Sequence, residues 1–227
     1  MIYFDKVSKR YYDGTPALED VTLSIAPKEF VSVVGHSGAG KTTLLKMLLA
    51  EDRPTEGTVF FESTDVHRLP KSRLHHYRRK IGMVFQDFRL IPNKTAYENI
   101  AFAMEAAGRP DDEIAMDVPY ILDLVDLGNK GGHFPNQLSG GEQQRVAIGR
   151  AIINQPDVII ADEPTGNLDP VNTYEIIEIL KKINDAGGTT VIMTTHNKGV
   201  VDAMGRRVIT MERGRVVRDD AHGQYLL

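Results

Sequence analysis

Gly35 to Thr42 reads GHSGAGKT, and this octapeptide constrains the fold more than any other stretch of the 227 residues. A Gly-x-x-x-x-Gly-Lys-Thr turn works between a buried strand and a helix. Gly35, Gly38 and Gly40 let backbone amides close round phosphates, and the helix N-terminus adds positive potential. Both flanks are present. Phe30–Val34 is an apolar run of strand length ending at that glycine. Leu44, Leu45, Leu48 and Leu49 then share one face of a helix beginning near Gly40. Lys41 is placed to reach β- and γ-phosphates, and the Thr42 hydroxyl to take a position beside Mg2+.

The rest of the chain agrees with an α/β core. Patterning predicts a strand over Val158–Ala161, a helix around Tyr174–Ile183, a strand over Thr190–Met193, and a closing pair around Arg207–Met211 and Arg215–Val217. Such alternation implies a mostly parallel sheet. Ile2 to Ile25 alternates loosely about YYDGTP, as antiparallel strands about a turn do. Between these regions the period becomes helical: Tyr97, Ile100, Ala101 and Met104, then Ile114, Val118, Ile121, Leu122 and Val125, with Pro110 near the second start. That block reads as an insertion. The expected division is one domain, with about 1–86 and 155–227 as the α/β core and β subdomain, and about 87–154 as a helical subdomain.

Composition narrows function by exclusion. Lys plus Arg number 27 against 31 Asp plus Glu, a net charge of -4, so the basic face that nucleic acid usually demands is not expected. With no cysteine, disulfides and thiolate metal sites are excluded. The N-terminus lacks the apolar core of a signal peptide, and no apolar run approaches the ~18 residues of a membrane span. Any work at a membrane is expected to pass through a partner.

DVIIADEP supplies carboxylates for the phosphate turn. Asp162 and Glu163 emerge at the carboxyl end of a buried strand, where open α/β sheets place their ligands. Asp162 suits the Mg2+ shell, and Glu163 suits a water attacking a γ-phosphate. LSGGE, from Leu138, offers a second phosphate grip. Ser139 is a natural N-cap, and Gly140 and Gly141 leave the first amides of the next helix uncovered. A bare SGG is more often only a capped helix; the order of GHSGAGKT, LSGGE and ADEPTGNLD points to more.

With those motifs in place, the chain resembles the ATP-binding-cassette (ABC) nucleotide-binding domains over essentially its whole length. The resemblance implies a P-loop NTPase fold of RecA-like type, with an N-terminal antiparallel β subdomain and an inserted helical subdomain. It also implies that ATP lies against Gly35, His36, Ser37, Gly38, Ala39, Gly40, Lys41, Thr42 and Thr43. Tyr11 stacks on adenine by the same resemblance, with Tyr12 its alternative. Glu163, His196, Lys41 and Gln86 become the catalytic set, with Thr42, Gln86 and Asp162 about the metal. Ser139, Gly140, Gly141 and Glu142 act on the ATP of a second subunit, and Asp169 in the D-loop contacts that subunit. Two phosphate grips in one chain then imply a two-fold homodimer holding two ATP molecules. The chain departs from the family pattern at Glu142, where glutamine is commoner, and at Asn197, where aspartate usually follows the switch histidine.

Phe85 to Glu105, FQDFRLIPNKTAYENIAFAME, resembles the FtsE family of bacterial cell-division ATPases. That implies an integral membrane partner of FtsX type docking near Gln86–Lys94, control of cell-wall hydrolysis at division, and a peripheral place on the cytoplasmic face of the cell membrane. ADEPTGNLD is shared with lipoprotein-release and macrolide-export ATPases, which keeps those clients open. So does a scaffold in which ATP binding alone carries the signal. Phe88, Leu90 and Ile91 suit either a docking groove or packing under a loop. The acid-free stretch from Val66 to Gln86 holds Arg68, Lys71, Arg73, Arg78, Arg79 and Lys80, and reads as a solvated face or a surface for anions.

Overall fold

The computed structural model describes residues 1–223. Its centre is a six-stranded sheet in the order β10-β9-β3-β8-β7-β6. The strands are β3 Phe30–Val34, β6 Ile81–Phe85, β7 Val158–Asp162, β8 Thr190–Thr195, β9 Arg207–Glu212 and β10 Arg215–Asp220. All neighbours run parallel except β10, which returns antiparallel on β9. Both faces are covered, and the strand residues divide between them with a period of two. In β7, Val158 and Ile160 join one core cluster while Ile159 and Ala161 join the other. Each such fully buried aliphatic side chain contributes about 1.5–3 kcal/mol of burial.

One face carries helix α1, Lys41–Leu48, and a four-stranded antiparallel sheet in the order β2-β1-β4-β5. Its strands are β1 Ile2–Arg10, β2 Pro16–Ile25, β4 Glu56–Phe61 and the short β5 Thr64–Asp65. Helix α2, Lys71–Arg79, buries only Tyr77 on this side. The opposite face carries α3 Ala96–Ala107, α4 Asp111–Leu124, α5 Gly140–Ile152, α6 Pro170–Gly187 and α7 Lys198–Met204. Most cations of the acid-free stretch are engaged within the chain. Arg78 donates to the carbonyls of Leu49 and Ala50, and Arg79 to that of Ala106. Lys80 pairs with Glu62 and Asp157, and Arg68 with Asp65.

The carboxyl ends of β3, β6, β7 and β8 point to one edge of the sheet, and the loops leaving them meet there.

Candidate functional site

At that edge lies a cleft of about 820 Å3. It is lined by Tyr11, residues 15–17, residues 36–43, Gln86, Glu163 and His196. Gly35 and Gly40 fix how the turn passes behind it. Gly35 has φ 154°, and a Cβ there would lie 2.4 Å from the Met211 carbonyl oxygen; at Gly40, φ 104°, it would lie 2.6 Å from that of Ala17. No side chain fits either place, so the turn can press against the strands and open into α1. Lys41, the first residue of α1, is buried, and a buried ammonium needs partners. Its Nζ donates to the carbonyls of Gly35 (2.7 Å) and His36 (3.3 Å) and stands 3.8 Å from Glu163 Oε1.

The carboxylates are set by the pairing of β7 with β8. Register places Asp162 opposite Thr194. The Thr194 hydroxyl donates to Asp162 Oδ1 (2.6 Å) and accepts from the Glu163 amide (3.0 Å). Glu163 takes φ 49°, a left-handed conformation that costs a non-glycine residue on the order of 1 kcal/mol. Its amide is held there by both oxygens of Thr194. The turn swings the Glu163 side chain off the strand and brings Oε2 within 2.9 Å of His196 Nδ1. One carboxylate therefore stands between an ammonium and an imidazole at the cleft wall. Gln86, just past β6, donates to Asn167 Oδ1 (3.2 Å), while its carbonyl accepts from Asn167 Nδ2 (3.0 Å). Gly166 is what lets the two loops touch: a Cβ there would sit 2.7 Å from Gln86 Nε2.

Asp162 and Gly35 lie behind the lining rather than in it. Among the described residues no group of three or more His, Cys, Asp or Glu could hold a metal on its own. The oxygens present, from Thr42, Asp162, Glu163 and Gln86, suit Mg2+, which keeps most of its waters and takes one or two protein oxygens beside the phosphates. Tyr11 lines the cleft at 40% exposure, with Lys9 Nζ 5.4 Å from its ring centroid, whereas Tyr12 is fully exposed and outside the lining.

Ser139, Gly140, Gly141, Glu142 and Asp169 are not in the cleft. Ser139 caps α5 by accepting from the Glu142 amide (3.2 Å), and Glu142 Oε2 accepts from the Ser139 amide (2.7 Å). That backbone hydrogen bond, with Lys130 3.5 Å away, holds the Glu142 carboxyl below its ordinary range. Asp169 caps α6, accepting from the amides of Val171 (2.9 Å) and Asn172 (3.0 Å); the Asn172 amide holds its carboxyl low. Asn197 caps α7 through the Val200 amide (3.3 Å). Both departures from the family pattern are thus sound helix starts, since Asn and Asp cap about equally and Glu completes a capping box. In the segment after Gln86, Leu90 packs against the core, and Phe88 and Ile91 are half-buried.

Sequence reasoning missed Thr194 and Asn167. Thr194 sits two residues before His196, but its partners lie across a strand pair, and register is invisible in one strand. Asn167 lies inside ADEPTGNLD, where nothing local gives it a role; its bond to Gln86 spans 81 residues.

The model of the ABC transporter family matches residues 18–166. The cell division ATP-binding protein FtsE of Bacillus subtilis is 50% identical over 225 residues, which is 99% of this chain and 98% of that protein. The protein of the same name from Escherichia coli is 43% identical over 216 residues, covering 95% and 97%. Among solved structures, a dimeric ATP-binding cassette in a post-hydrolysis state, bound to ADP and Pi, superposes with a TM-score of 0.88 at 39% identity, covering 99% of this chain and all of that one.

Proposed function

The chain belongs to the ABC transporter family of ATP-binding ATPases, and from that premise we propose that it works as a two-ATP homodimer driving a membrane partner of FtsX type in bacterial cell division. One observation carries the reading. The cleft gathers the phosphate turn, Glu163 and His196, while the Ser139 turn, the second phosphate grip, stands outside it. A second subunit, related by a two-fold axis, can bring its own Ser139 turn to this cleft and receive the first subunit's turn in exchange. The relatives named for cell division and the dimeric cassette support the client and the pairing. The helical block, about 87–154, then serves as the arm that presents the turn.

The chemistry assigned to the residues is phosphoryl transfer to water. Tyr11 stacks on adenine, and the amides of residues 36–43 cradle the phosphates. Lys41 bridges the β- and γ-phosphates, and His196 holds a γ-phosphate oxygen. Water attacks the γ-phosphorus, its proton passes to Glu163, and the bond to the β–γ bridging oxygen breaks to leave ADP and phosphate. Thr42 and Asp162, with Gln86, would hold Mg2+, which when bound neutralises charge on the phosphate oxygens. Gln86 also connects this corner to residues 87–94, the proposed docking segment. Among the described residues no helix is long and apolar enough to cross a membrane, so attachment to the cytoplasmic face runs through the partner.

The test is a gentle detergent pull-down of the tagged Glu163→Gln chain from cells with ATP, read by mass spectrometry. An FtsX-like membrane protein with division components is expected. An exporter permease or lipoprotein-release subunits in its place would overturn the client and leave the ATPase.

A further inference from the structure

The helix that begins at the Ser139 turn also grips both strand ends that carry the hydrolytic side chains. Gln144, in α5, is completely buried, and its Nε2 donates to the carbonyls of Pro164 (2.6 Å) and Phe85 (3.3 Å). Those residues adjoin Glu163 and Gln86 in the chain. Farther along α5, Arg150 donates through Nη1 to the Arg89 carbonyl (2.6 Å) and through Nη2 to that of Phe88 (2.9 Å). Phe88 and Arg89 have φ 59° and 48°, so the loop after Gln86 is held in a conformation that non-glycine residues rarely adopt. Such a loop persists only when its surroundings fix it, and the half-buried fork of Arg150 is one of the contacts that fix it. The Arg89 guanidinium then folds back over the Phe85 ring at 3.8 Å. At the other end of α5, a Cβ on Gly141 would meet Asn172 Oδ1 at 1.8 Å, and Asn172 donates to Asp169.

We infer that Gln144 and Arg150 are positioning residues that tie the Ser139 turn to Gln86 and Glu163 of the same subunit. The inference rests on the two-ATP dimer proposed above. α5 is a rigid rod of roughly 20 Å. Seating the partner's ATP on Ser139 moves its start. The four carbonyls gripped farther along must follow, or strong charge-assisted and buried hydrogen bonds must break. Gln86 and Glu163 are displaced with them, and each subunit's hydrolysis responds to the other's nucleotide. Neither side chain lines the nucleotide cleft, so neither has a direct part in binding ATP.

The experiment compares full-length wild type, Arg150→Met, Arg150→Lys and Gln144→Leu by thermal melting, ATP affinity, and hydrolysis rate against ATP concentration. Arg150→Met keeps the length of the stem and removes the fork; Arg150→Lys retains one charged donor. For Arg150→Met and Gln144→Leu, ATP affinity should stay within about twofold of wild type while kcat falls roughly ten- to hundredfold. The Hill coefficient should drop from near two toward one, because two coupled sites set the upper limit. Arg150→Lys should recover part of both losses. Arg150→Met and Gln144→Leu with wild-type kcat and Hill coefficient would overturn the inference. So would ATP affinity lost in step with kcat and not restored in Arg150→Lys, which marks a folding role. A wild-type Hill coefficient of one would overturn the inference and leave the two-ATP dimer standing, whereas wild type that stays monomeric in sedimentation with ATP bound would overturn the two-ATP reading itself.

Discussion

The P-loop turn and the Ser139 turn are both glycine-rich helix starts, yet they are finished to different degrees. Around Gly35–Thr43 the chain has gathered a lysine, a glutamate, a histidine and a glutamine from four separate strand ends into one cleft. The Ser139 turn gathers only itself: its hydroxyl caps α5, its carboxylate returns the bond, and Lys130 neutralises that carboxylate. The first draws its chemistry from across the sheet; the second, on the reading proposed above, is the wall that a second subunit offers to it. Helix capping and ligand binding use the same amides, so a well-capped turn in isolation says nothing of phosphate.

Perturbing each region separately should give separate failures. The largest effect is expected from Glu163→Gln, which keeps the shape of the corner and removes the proton acceptor. Its kcat should fall about 10²- to 10⁴-fold with ATP binding intact, measured by phosphate release and by equilibrium binding. Ser139→Asp comes next. Aspartate caps as well as serine, so α5 should remain, but a carboxylate would face the partner's γ-phosphate at a cost of about 4 kcal/mol. ATP-driven dimerisation should be lost in sedimentation while the chain still binds ATP alone. Lys41→Ala removes a charge-assisted contact worth roughly 1.5–3 kcal/mol, so ATP affinity should drop about ten- to hundredfold in calorimetry. Unchanged affinity would remove Lys41 from the site. Thr194→Val takes away the hydroxyl that orders Asp162 and Glu163. It should lower kcat about tenfold with little change in KM, consistent with the loss of its bonds to Asp162 and the Glu163 amide, the latter amide still being held by the Thr194 carbonyl. The smallest change is Glu142→Gln. It keeps the capping box and loses only the half-buried ion pair with Lys130, so stability should fall by less than about 1 kcal/mol in thermal melting.

Much of this is legible in the amino-acid sequence. Phe30–Val34 followed by GHSGAGKT and the Leu44–Leu48 face announced strand, turn and helix because each element's period is local. The two core strands Val158–Asp162 and Thr190–Thr195 were nearly bounded, being continuous apolar runs. Strand β6 leaves little trace in the sequence, and Gly82 shows why. Its missing side chain lets the strand lie against α5, where a Cβ would be 2.4 Å from the Ala151 carbonyl oxygen, and the same glycine weakens the strand signal. Helix α2 was recognised only as a basic stretch, since it buries one residue and has no apolar stripe. At the site, residue types and order pick out Lys41 and Glu163, and the family resemblance adds Gln86 and His196; the cleft brings all four together. The side chains that aim them, Thr194, Asn167, Gln144 and Arg150, stayed hidden because each acts across strands or helices distant in the chain.

Sedimentation of the Glu163→Gln chain decides whether the Ser139 turn of one subunit completes the P-loop cleft of another. With saturating ATP, Glu163→Gln should run as a dimer, and the double variant Glu163→Gln, Ser139→Asp should run as a monomer that binds ATP with unchanged affinity. A dimer of equal stability in both would contradict the account, as would a Glu163→Gln chain that stays monomeric with ATP bound.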